Sequence, residues 1–338
     1  MKEVRKHARE LMEGYCKVCP VCNGKACAGE VPGMGGLGTG SSFMNNVAAL
    51  SNLRFNMRLV HGADQPDTST EVLGLKLAMP VIAAPIGGVS FNMGGKINES
   101  DYVEAVLGGC VDRGIVGSSG DGVPPFIHES GFAAIQALGG AGIPFIKPWE
   151  DKELFEKLDR AVATGATVVG MDIDAAGLVT LRLMGRPVGP KPLEKLKDII
   201  AHVQAKFVIK GIMTPDDAKR AVDAGAAGIV VSNHGGRVLD HTPGTAEALP
   251  FIARAVKGQI AIVVDGGVRS GGDVLKMLAL GADAVMVGRP VAIAAMGGLR
   301  EGVAKYLDQM RSELVQAMIL TGCASVSDVD GRVLFQSA

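Results

Sequence analysis

The sequence of 338 residues lacks an excess of charge of either sign, because 34 Lys and Arg residues nearly balance 35 Asp and Glu residues. Without a basic stripe there is no electrostatic case for binding nucleic acid or an anionic membrane, so small molecules are the expected partners. The sequence also lacks any apolar run near the roughly 18 residues that a spanning helix needs. Its first residues, MKEVRKHARE, contain no signal-type apolar core. We therefore expect a cytoplasmic protein with no membrane span.

Glycine, in contrast, is abundant at 47 residues, and it lies between short β-branched apolar runs. From residue 80 onward eight such runs alternate with longer amphipathic segments, the pattern of parallel strands buried on both faces. The runs are PVIAAP (80–85), IVGSS (115–119), PFIKP (144–148), VVGMDID (168–174), FVIKGI (207–212), GIVVSN (228–233), IAIVVDGG (260–267) and AVMVGRP (284–290). Eight βα units predict an α/β fold of the (β/α)8 TIM-barrel type over residues 80–338.

Residues 1–79 fall outside this repeat and are expected to form a capping extension of the barrel. Their pattern predicts a charged helix over residues 2–13, a second helix near 43–53, and a short strand pair in RLVHG and TEVLG. At the other end of the chain, apolar residues at helical spacing from Leu299 to Thr321 predict the last barrel helix.

The turns after the last two predicted strands carry a ligand signal. One turn reads Asp265-Gly266-Gly267-Val268-Arg269, and the other reads Gly288-Arg289-Pro290. Glycine amides and helix N-termini at this end of a barrel form a cradle for phosphate, and arginine geometry suits a phosphate monoester. Because tight turns alone would leave both arginines unexplained, we predict a phosphate site here.

A histidine and an arginine follow the sixth predicted strand, in the motif SNHGGR. At the C-terminal end of a barrel strand, His234 is expected to face the barrel mouth as a base, with Arg237 beside it to hold an anionic substrate. Lys210 ends the fifth predicted strand and Asp174 ends the fourth. A lysine in a buried apolar strand has few structural roles, and Asp174 is suited to orient a protonated His234.

Two stretches, KGIMTPDDAKRAVDAGAAGIVVSNHGGRVLDHTPGT and DGGVRSGGDVLKMLALGADAVMVGRP, closely resemble the FMN-dependent α-hydroxy-acid oxidase and dehydrogenase family, which includes glycolate oxidase and lactate oxidase. TEVLGLKLAMPVIAAP also fits. The resemblance implies FMN as the cofactor and a small substrate with a carboxylate. It further implies an electron acceptor (oxygen, a quinone or a redox protein) and a homo-oligomer, often a tetramer.

The resemblance also implies roles for individual residues. His234 would be the base in oxidation of the α-carbon, Arg237 the carboxylate anchor and Asp174 the partner of the imidazolium. Lys210 would stabilise the reduced flavin electrostatically. The implied cofactor-binding residues are Pro85, Ile86, Gly87, Ser118, Lys147, Asp172, Lys210, Ser232, Asp265, Gly266, Gly267, Arg269, Gly288 and Arg289.

The sequence departs from the family where the substrate is expected. The third strand of the family carries a Gln and, two residues later, a Tyr, whereas this chain reads Phe145-Ile146-Lys147-Pro148-Trp149. The tyrosine position is therefore Pro148 or Trp149, depending on the register. Asp172 stands where the family has a Thr, and Arg182 only approximates the position of its second carboxylate-binding arginine. We therefore expect a hydroxy acid that is lactate-like, glycolate-like or larger.

Four cysteines, Cys16, Cys19, Cys22 and Cys27, fall within a short N-terminal segment that the family does not share. Their C-x2-C-x2-C portion resembles the ligand run of a [4Fe-4S] ferredoxin, although four such residues could also hold zinc or remain free thiols. The glycine run that follows, from Gly33 to Gly38, fits G-x-G-x-x-G. It does not follow an apolar strand, so we interpret it as a flexible lid and not as a dinucleotide site.

Two other functions compete with hydroxy-acid oxidation. The first is an FMN-dependent isomerase of the type 2 isopentenyl-diphosphate isomerase class, against which SNHGGR argues. The second is an electron-transfer or sensory flavoprotein in which the cysteine cluster is the working part.

Overall fold

Eight parallel strands close into a barrel in the computed structural model, which describes residues 1–335. They follow one another around the barrel in chain order, and the last pairs with the first through Val285 and Val81. The strands are β3 (Val81–Ile86), β4 (Val116–Ser119), β5 (Ile143–Ile146), β6 (Val168–Asp172), β7 (Lys206–Ile212), β8 (Gly228–Val231), β9 (Ala261–Val264) and β10 (Ala284–Val287). The predicted (β/α)8 barrel is confirmed.

Several strands end earlier than the apolar runs suggest, and this changes where the chemistry lies. Strand β6 ends at Asp172, so Asp174 falls in a 3-10 turn over Ile173–Gly177. Strand β8 ends at Val231, and His234 begins a second 3-10 turn. Both side chains therefore lie on turns just beyond the C-terminal ends of their strands, at the face where barrels carry their sites.

Helices surround the barrel and cover its strands. They are α1 (Lys2–Leu11), α2 (Ser41–Asn52), α3 (Val89–Asn92), α4 (Glu99–Val111), α5 (Pro125–Ala137), α6 (Asp151–Ala163), α7 (Val179–Leu183), α8 (Leu193–His202), α9 (Pro215–Asp223), α10 (Thr245–Val256), α11 (Gly271–Ala279) and α12 (Arg289–Thr321). Among residues 1–335, no helix is long and apolar enough to cross a membrane.

Of the two strands predicted before the barrel, the one in TEVLG is confirmed and the one in RLVHG is wrong. The hairpin joins β1 (Thr70–Val72) to β2 (Leu75–Leu77), and RLVHG forms no strand. Leu73 and Gly74 both have positive φ, as a two-residue hairpin turn with the strand twist requires. Val60 in RLVHG is fully exposed, so this segment has no apolar face to bury.

The C-terminal helix begins earlier than its periodicity predicts. Helix α12 starts at Arg289 and is broken at Leu299, where φ is 47°. The segment before this break packs against α1: a Cβ at Gly297 would overlap the carbonyl oxygen of Val4, and His7 Nδ1 lies 3.1 Å from Gly297 O. Glycine at this position thus lets the first and last helices approach closely.

Gly297→Ala is expected to destabilise the protein by about 1–3 kcal/mol, because the new methyl group displaces α1. Helix propensity alone predicts the opposite sign, a gain of about 1 kcal/mol. Denaturant unfolding distinguishes the two. Gly189→Ala is the control, since a Cβ there meets no atom within 4 Å. Stabilisation by Gly297→Ala would show that the close packing of α1 is unimportant.

Candidate active site

A cavity opens at the C-terminal ends of the strands. All of the predicted cofactor-binding residues line it except Ser118 and Ser232, which are buried next to it. His234 and Arg237 also line the cavity. The barrel topology therefore brings together residues that are as far apart in the sequence as Pro85 and Arg289.

His234 is held by a chain of hydrogen bonds at the edge of this cavity. Its Nδ1 lies 3.0 Å from Asp174 Oδ1, its backbone N–H donates to Ser232 Oγ at 3.0 Å, and Ser232 Oγ donates to Asp265 Oδ2 at 2.9 Å. Burial opposes ionisation of Asp174, but its neighbours His234 and Lys210 outweigh this effect and hold the pKa of Asp174 below its usual value. An ionised Asp174 fixes the orientation of the imidazole ring through Nδ1. The other ring nitrogen, Nε2, takes no part in this bond.

Lys210 lies among carboxylates at a break in strand pairing. Its Nζ is 3.1 Å from Asp172 Oδ1 and 4.0 Å from Asp265 Oδ2. Burial opposes the charge on Lys210, yet the neighbouring Asp172, Asp174 and Asp265 carboxylates raise its pKa. The register between β7 and β8 shifts just after Lys210, at Gly211, a type of irregularity that re-aims side chains near sites.

A second lysine shares the same carboxylate. Lys147 Nζ lies 3.8 Å from Asp172 Oδ2, and the two side chains are 9% and 4% exposed. Lys147 and Asp172 thus form a buried pair of opposite charges. Single ligand atoms of Asp172, Asp174 and His234 also lie within 4.8 Å of one another, a spacing that suits a metal ion. The two lysines already balance the charge of Asp172, so we assign no metal to these residues.

Three arginines at the cavity mouth bind carbonyl groups of the N-terminal segment. Arg289 donates from Nε to Met34 O at 2.7 Å and from Nη2 to Gly35 O and Gly235 O, each at 3.0 Å. Arg269 donates to Cys22 O at 3.3 and 3.2 Å. Arg237 donates to Gly33 O and, at 2.9 Å, to Asn92 Oδ1.

The glycine run is consequently not the flexible lid that the sequence suggested. Met34, Gly35 and Gly36 are buried, and Leu37 N–H donates to Gly236 O at 2.8 Å. A Cβ on Gly35 would overlap Cys27 O. The run is therefore a tightly packed segment that the site arginines hold in place.

The predicted substrate residue Arg182 and the family's tyrosine position both lie elsewhere than expected. Arg182 is exposed on α7 and does not line the cavity, although Thr180 and Leu181 of the same helix do. Trp149, the alternative to Pro148 for the tyrosine position of the family, is turned away from the cavity, and its Nε1 donates to Asp121 Oδ2 at 2.6 Å.

Sequence reasoning missed Asp121, a buried residue that lines the cavity. Besides Trp149, it accepts hydrogen bonds from Lys157 Nζ at 2.8 Å and from the backbone N–H of Lys147 at 3.0 Å. This network fixes the backbone that carries Lys147. The available signal was the position of Asp121, two residues after the end of β4.

Comparisons with known proteins match the family model of FMN-dependent dehydrogenases over residues 33–186 and 189–336. The chain belongs to the FMN-dependent dehydrogenase family. It is 32% identical to the L-lactate oxidase of Lacticaseibacillus rhamnosus (strain LMS2-1) over 329 residues, covering 86% of this chain and 85% of the relative. It is also 32% identical to the 4-hydroxymandelate oxidase of Amycolatopsis orientalis over 340 residues, covering 86% and 89%.

A solved structure of a mandelate oxidase mutant with an FMN adduct is similar throughout, with a TM-score of 0.80, 31% identity and coverage of 98% of this chain and 97% of that one. Together with the family match, these likenesses confirm the expectation of an FMN-dependent α-hydroxy-acid oxidoreductase with a small-molecule substrate.

The residues of the cavity fit FMN. Five cationic side chains (Lys147, Lys210, Arg237, Arg269 and Arg289) face three carboxylates (Asp121, Asp172 and Asp265), an excess that suits an anionic ligand. Within the described residues, Asp174 Oδ2 and Asp265 Oδ1 are buried without a hydrogen-bond partner. Buried polar atoms without partners are rare in native proteins, so these oxygens indicate a ligand with donor groups.

Removing the shared carboxylate should cost more stability than removing either lysine. Asp172→Thr leaves Lys147 and Lys210 buried without it, and we expect a loss of about 3–5 kcal/mol. Lys147→Gln keeps Lys210 paired and should cost less than about 1.5 kcal/mol. Denaturant unfolding at saturating FMN measures the loss of stability of both variants. The control is Lys195→Gln, which removes a surface ion pair with Asp151. Equal losses for Asp172→Thr and Lys147→Gln would contradict this order.

Proposed function

We propose that residues 80–338 form an FMN-binding barrel that oxidises an α-hydroxy acid with an apolar side chain, and that residues 1–79 form its cap. The observation that carries the proposal is the His234–Asp174 pair at the rim of a cationic cavity, with Arg237 on the same turn. A base, its orienting carboxylate and an anion-binding group are thus next to the cofactor cavity.

We assign the two ends of the cavity to the two ends of FMN. Gly266, Gly267, Gly288, Arg269 and Arg289 would hold the phosphate, where arginine and glycine amides give charge and close backbone approach. Arg289 Nη1 makes no hydrogen bond within residues 1–335, so it is available to this group. Pro85, Ile86, Gly87, Lys147, Asp172 and Lys210 would surround the flavin ring.

His234 would act as the base through Nε2, because Nδ1 is committed to Asp174. As His234 takes the proton of the substrate it becomes an imidazolium, and the adjacent Asp174 carboxylate stabilises that charge. FMN, when bound, supplies the two-electron acceptor. Lys210 stays protonated because its pKa is raised, and it provides fixed positive charge in the cavity throughout.

Arg237 would bind the substrate carboxylate. Burial, with a further contribution from neighbouring Arg289, lowers the pKa of Arg237, although a guanidinium remains charged at neutral pH. Its present acceptors, the Gly33 and Gly35 carbonyl oxygens and Asn92 Oδ1, carry no net charge. Because a carboxylate is the stronger acceptor, Arg237 gains most from an acid as ligand.

The remaining wall of the cavity favours a substrate larger than glycolate. It is apolar and is formed by Phe91, Val123, Ile127, Leu178, Leu181 and Met184. Burying a substrate side chain against such a wall is favourable in proportion to the apolar area removed from water. We therefore propose aromatic or branched 2-hydroxy acids as substrates.

Replacement of His234 by Ala should slow anaerobic flavin bleaching by a hydroxy acid by about 10²- to 10⁴-fold, because the general base is lost. FMN content should stay unchanged. His202→Ala is the matched control: it also removes a histidine paired with an aspartate, Asp159, but lies on the surface. Bleaching of His234→Ala at the wild-type rate would remove His234 from the mechanism.

Among glycolate, L-lactate and L-mandelate, we expect kcat/KM for anaerobic flavin reduction to rise in that order, by about tenfold or more per step. Stopped-flow absorbance measures the rates, and admission of oxygen afterwards distinguishes an oxidase from a dehydrogenase by the speed of reoxidation. Preference for glycolate would contradict the assignment of the apolar wall. Absence of bleaching with all three would refute hydroxy-acid oxidation by these substrates.

A further inference from the structure

The four N-terminal cysteines form one site in the folded protein. Cys16, Cys19, Cys22 and Cys27 are all half-buried, none is in a disulfide, and together they line a single small cavity. Met34, Phe43 and Ile293 supply apolar walls to it. Four thiols around one shielded space are arranged as ligands, since packing alone does not require four sulfur atoms to converge.

The sulfur atoms lie farther apart than the ligands of a single zinc ion. Within the described residues, no three cysteine Sγ atoms lie within 4.8 Å of one another. A single zinc ion holds each sulfur at about 2.3 Å, which puts tetrahedral ligands only about 3.8 Å apart. An iron–sulfur cubane spreads its thiolates more widely, because each one binds a different iron atom. The C-x2-C-x2-C spacing is also that of [4Fe-4S] ligand runs.

The surroundings supply charge and hydrogen bonds for such a cluster. Arg269 Nη2 lies 3.5 Å from Cys22 Sγ, and the backbone N–H of Val18 donates to Cys16 Sγ at 3.4 Å. Arg289 lines the cavity as well. Four thiolates around an iron–sulfur core leave a net negative charge, which these two arginines are positioned to offset.

Helix α1 and the barrel hold the cysteine loop in position. Arg5 donates to Cys19 O at 2.5 Å and Arg9 to Val18 O at 2.8 Å, while Arg269 holds Cys22 O from the barrel side. Val18 and Gly24 have φ of 42° and 86°, so the backbone turns sharply within the loop. The loop is thus preorganised around the sulfur atoms.

We propose that Cys16, Cys19, Cys22 and Cys27 bind one [4Fe-4S] cluster, separated from the FMN cavity by a wall that includes Arg289 and Met34. Both of these residues line the cysteine cavity and the larger cavity. The proposal does not depend on the identity of the hydroxy acid, because it rests only on the cysteine loop and its neighbours.

The test is the metal and sulfide content of the full-length holoprotein purified without oxygen. We expect about four irons and four acid-labile sulfides per chain, with the Mössbauer spectrum of a cubane. One zinc per chain, or an absence of iron, would overturn the proposal. Iron without acid-labile sulfide would also overturn it.

Single variants link the cluster to these thiols. Cys19→Ser and Cys22→Ser should each lower iron content by more than about tenfold, because ligand loss removes metal binding energy. Cys110→Ser and Cys323→Ser, at the two cysteines elsewhere in the chain, should leave iron unchanged. Retention of iron in both cluster variants would contradict the assignment. If these variants do not fold, the wild-type holoprotein supplies the same test. We treat it with a thiol-blocking reagent and a chelator, and we expect the iron to be released and the Mössbauer signal to be lost. Resistance of the iron to both reagents would count against thiolate ligation.

Discussion

The hydrogen bonds from Arg237, Arg269 and Arg289 to the N-terminal carbonyl groups are the interaction on which the site depends. A partly buried guanidinium must find acceptors, because an unpaired buried charge is costly. Carbonyl oxygens satisfy the donors without cancelling the charge. The cavity therefore keeps an excess of positive charge for phosphate and carboxylate ligands, and residues 1–79 become part of the site instead of an appendage.

This arrangement explains the glycine content near residue 35, which the barrel does not require. For Arg289 to reach the backbone of residues 34 and 35, the segment must lie against both the cysteine loop and α2. A Cβ on Gly35 would overlap Cys27 O, and one on Gly36 would lie 3.1 Å from Phe43 Cβ. Phe43 in turn stacks on Arg289, whose guanidinium carbon lies 3.9 Å from the ring centroid. Glycine here serves close packing and not mobility.

The barrel and most cavity residues were predictable because strands buried on both faces leave long apolar runs, and residues after them meet at one end. The same reasoning could not place Arg182, because the conformation of the loop after β6 is set by tertiary contacts. It missed Asp121 and the turned-away Trp149 for a related reason: their hydrogen bond joins two barrel turns and leaves no local periodic signal. The glycine run was misread as mobile because composition does not reveal which arginines hold it.

Arg289 and Met34 line both the cysteine cavity and the FMN cavity, so a ligand in either cavity would lie against residues that also line the other. An ordered cysteine loop fixes the Cys22 carbonyl group against Arg269. It also fixes the segment whose Met34 and Gly35 carbonyl groups accept hydrogen bonds from Arg289. If Arg269 and Arg289 hold the phosphate as proposed, their guanidinium groups then need less reorganisation to bind it. Under that proposal FMN would stabilise the ordered loop to the same extent, because coupling between binding sites is reciprocal. The proposed phosphate site thus links cofactor affinity to the N-terminal segment, although Met34 is the one residue of this segment that lines the FMN cavity within the described residues.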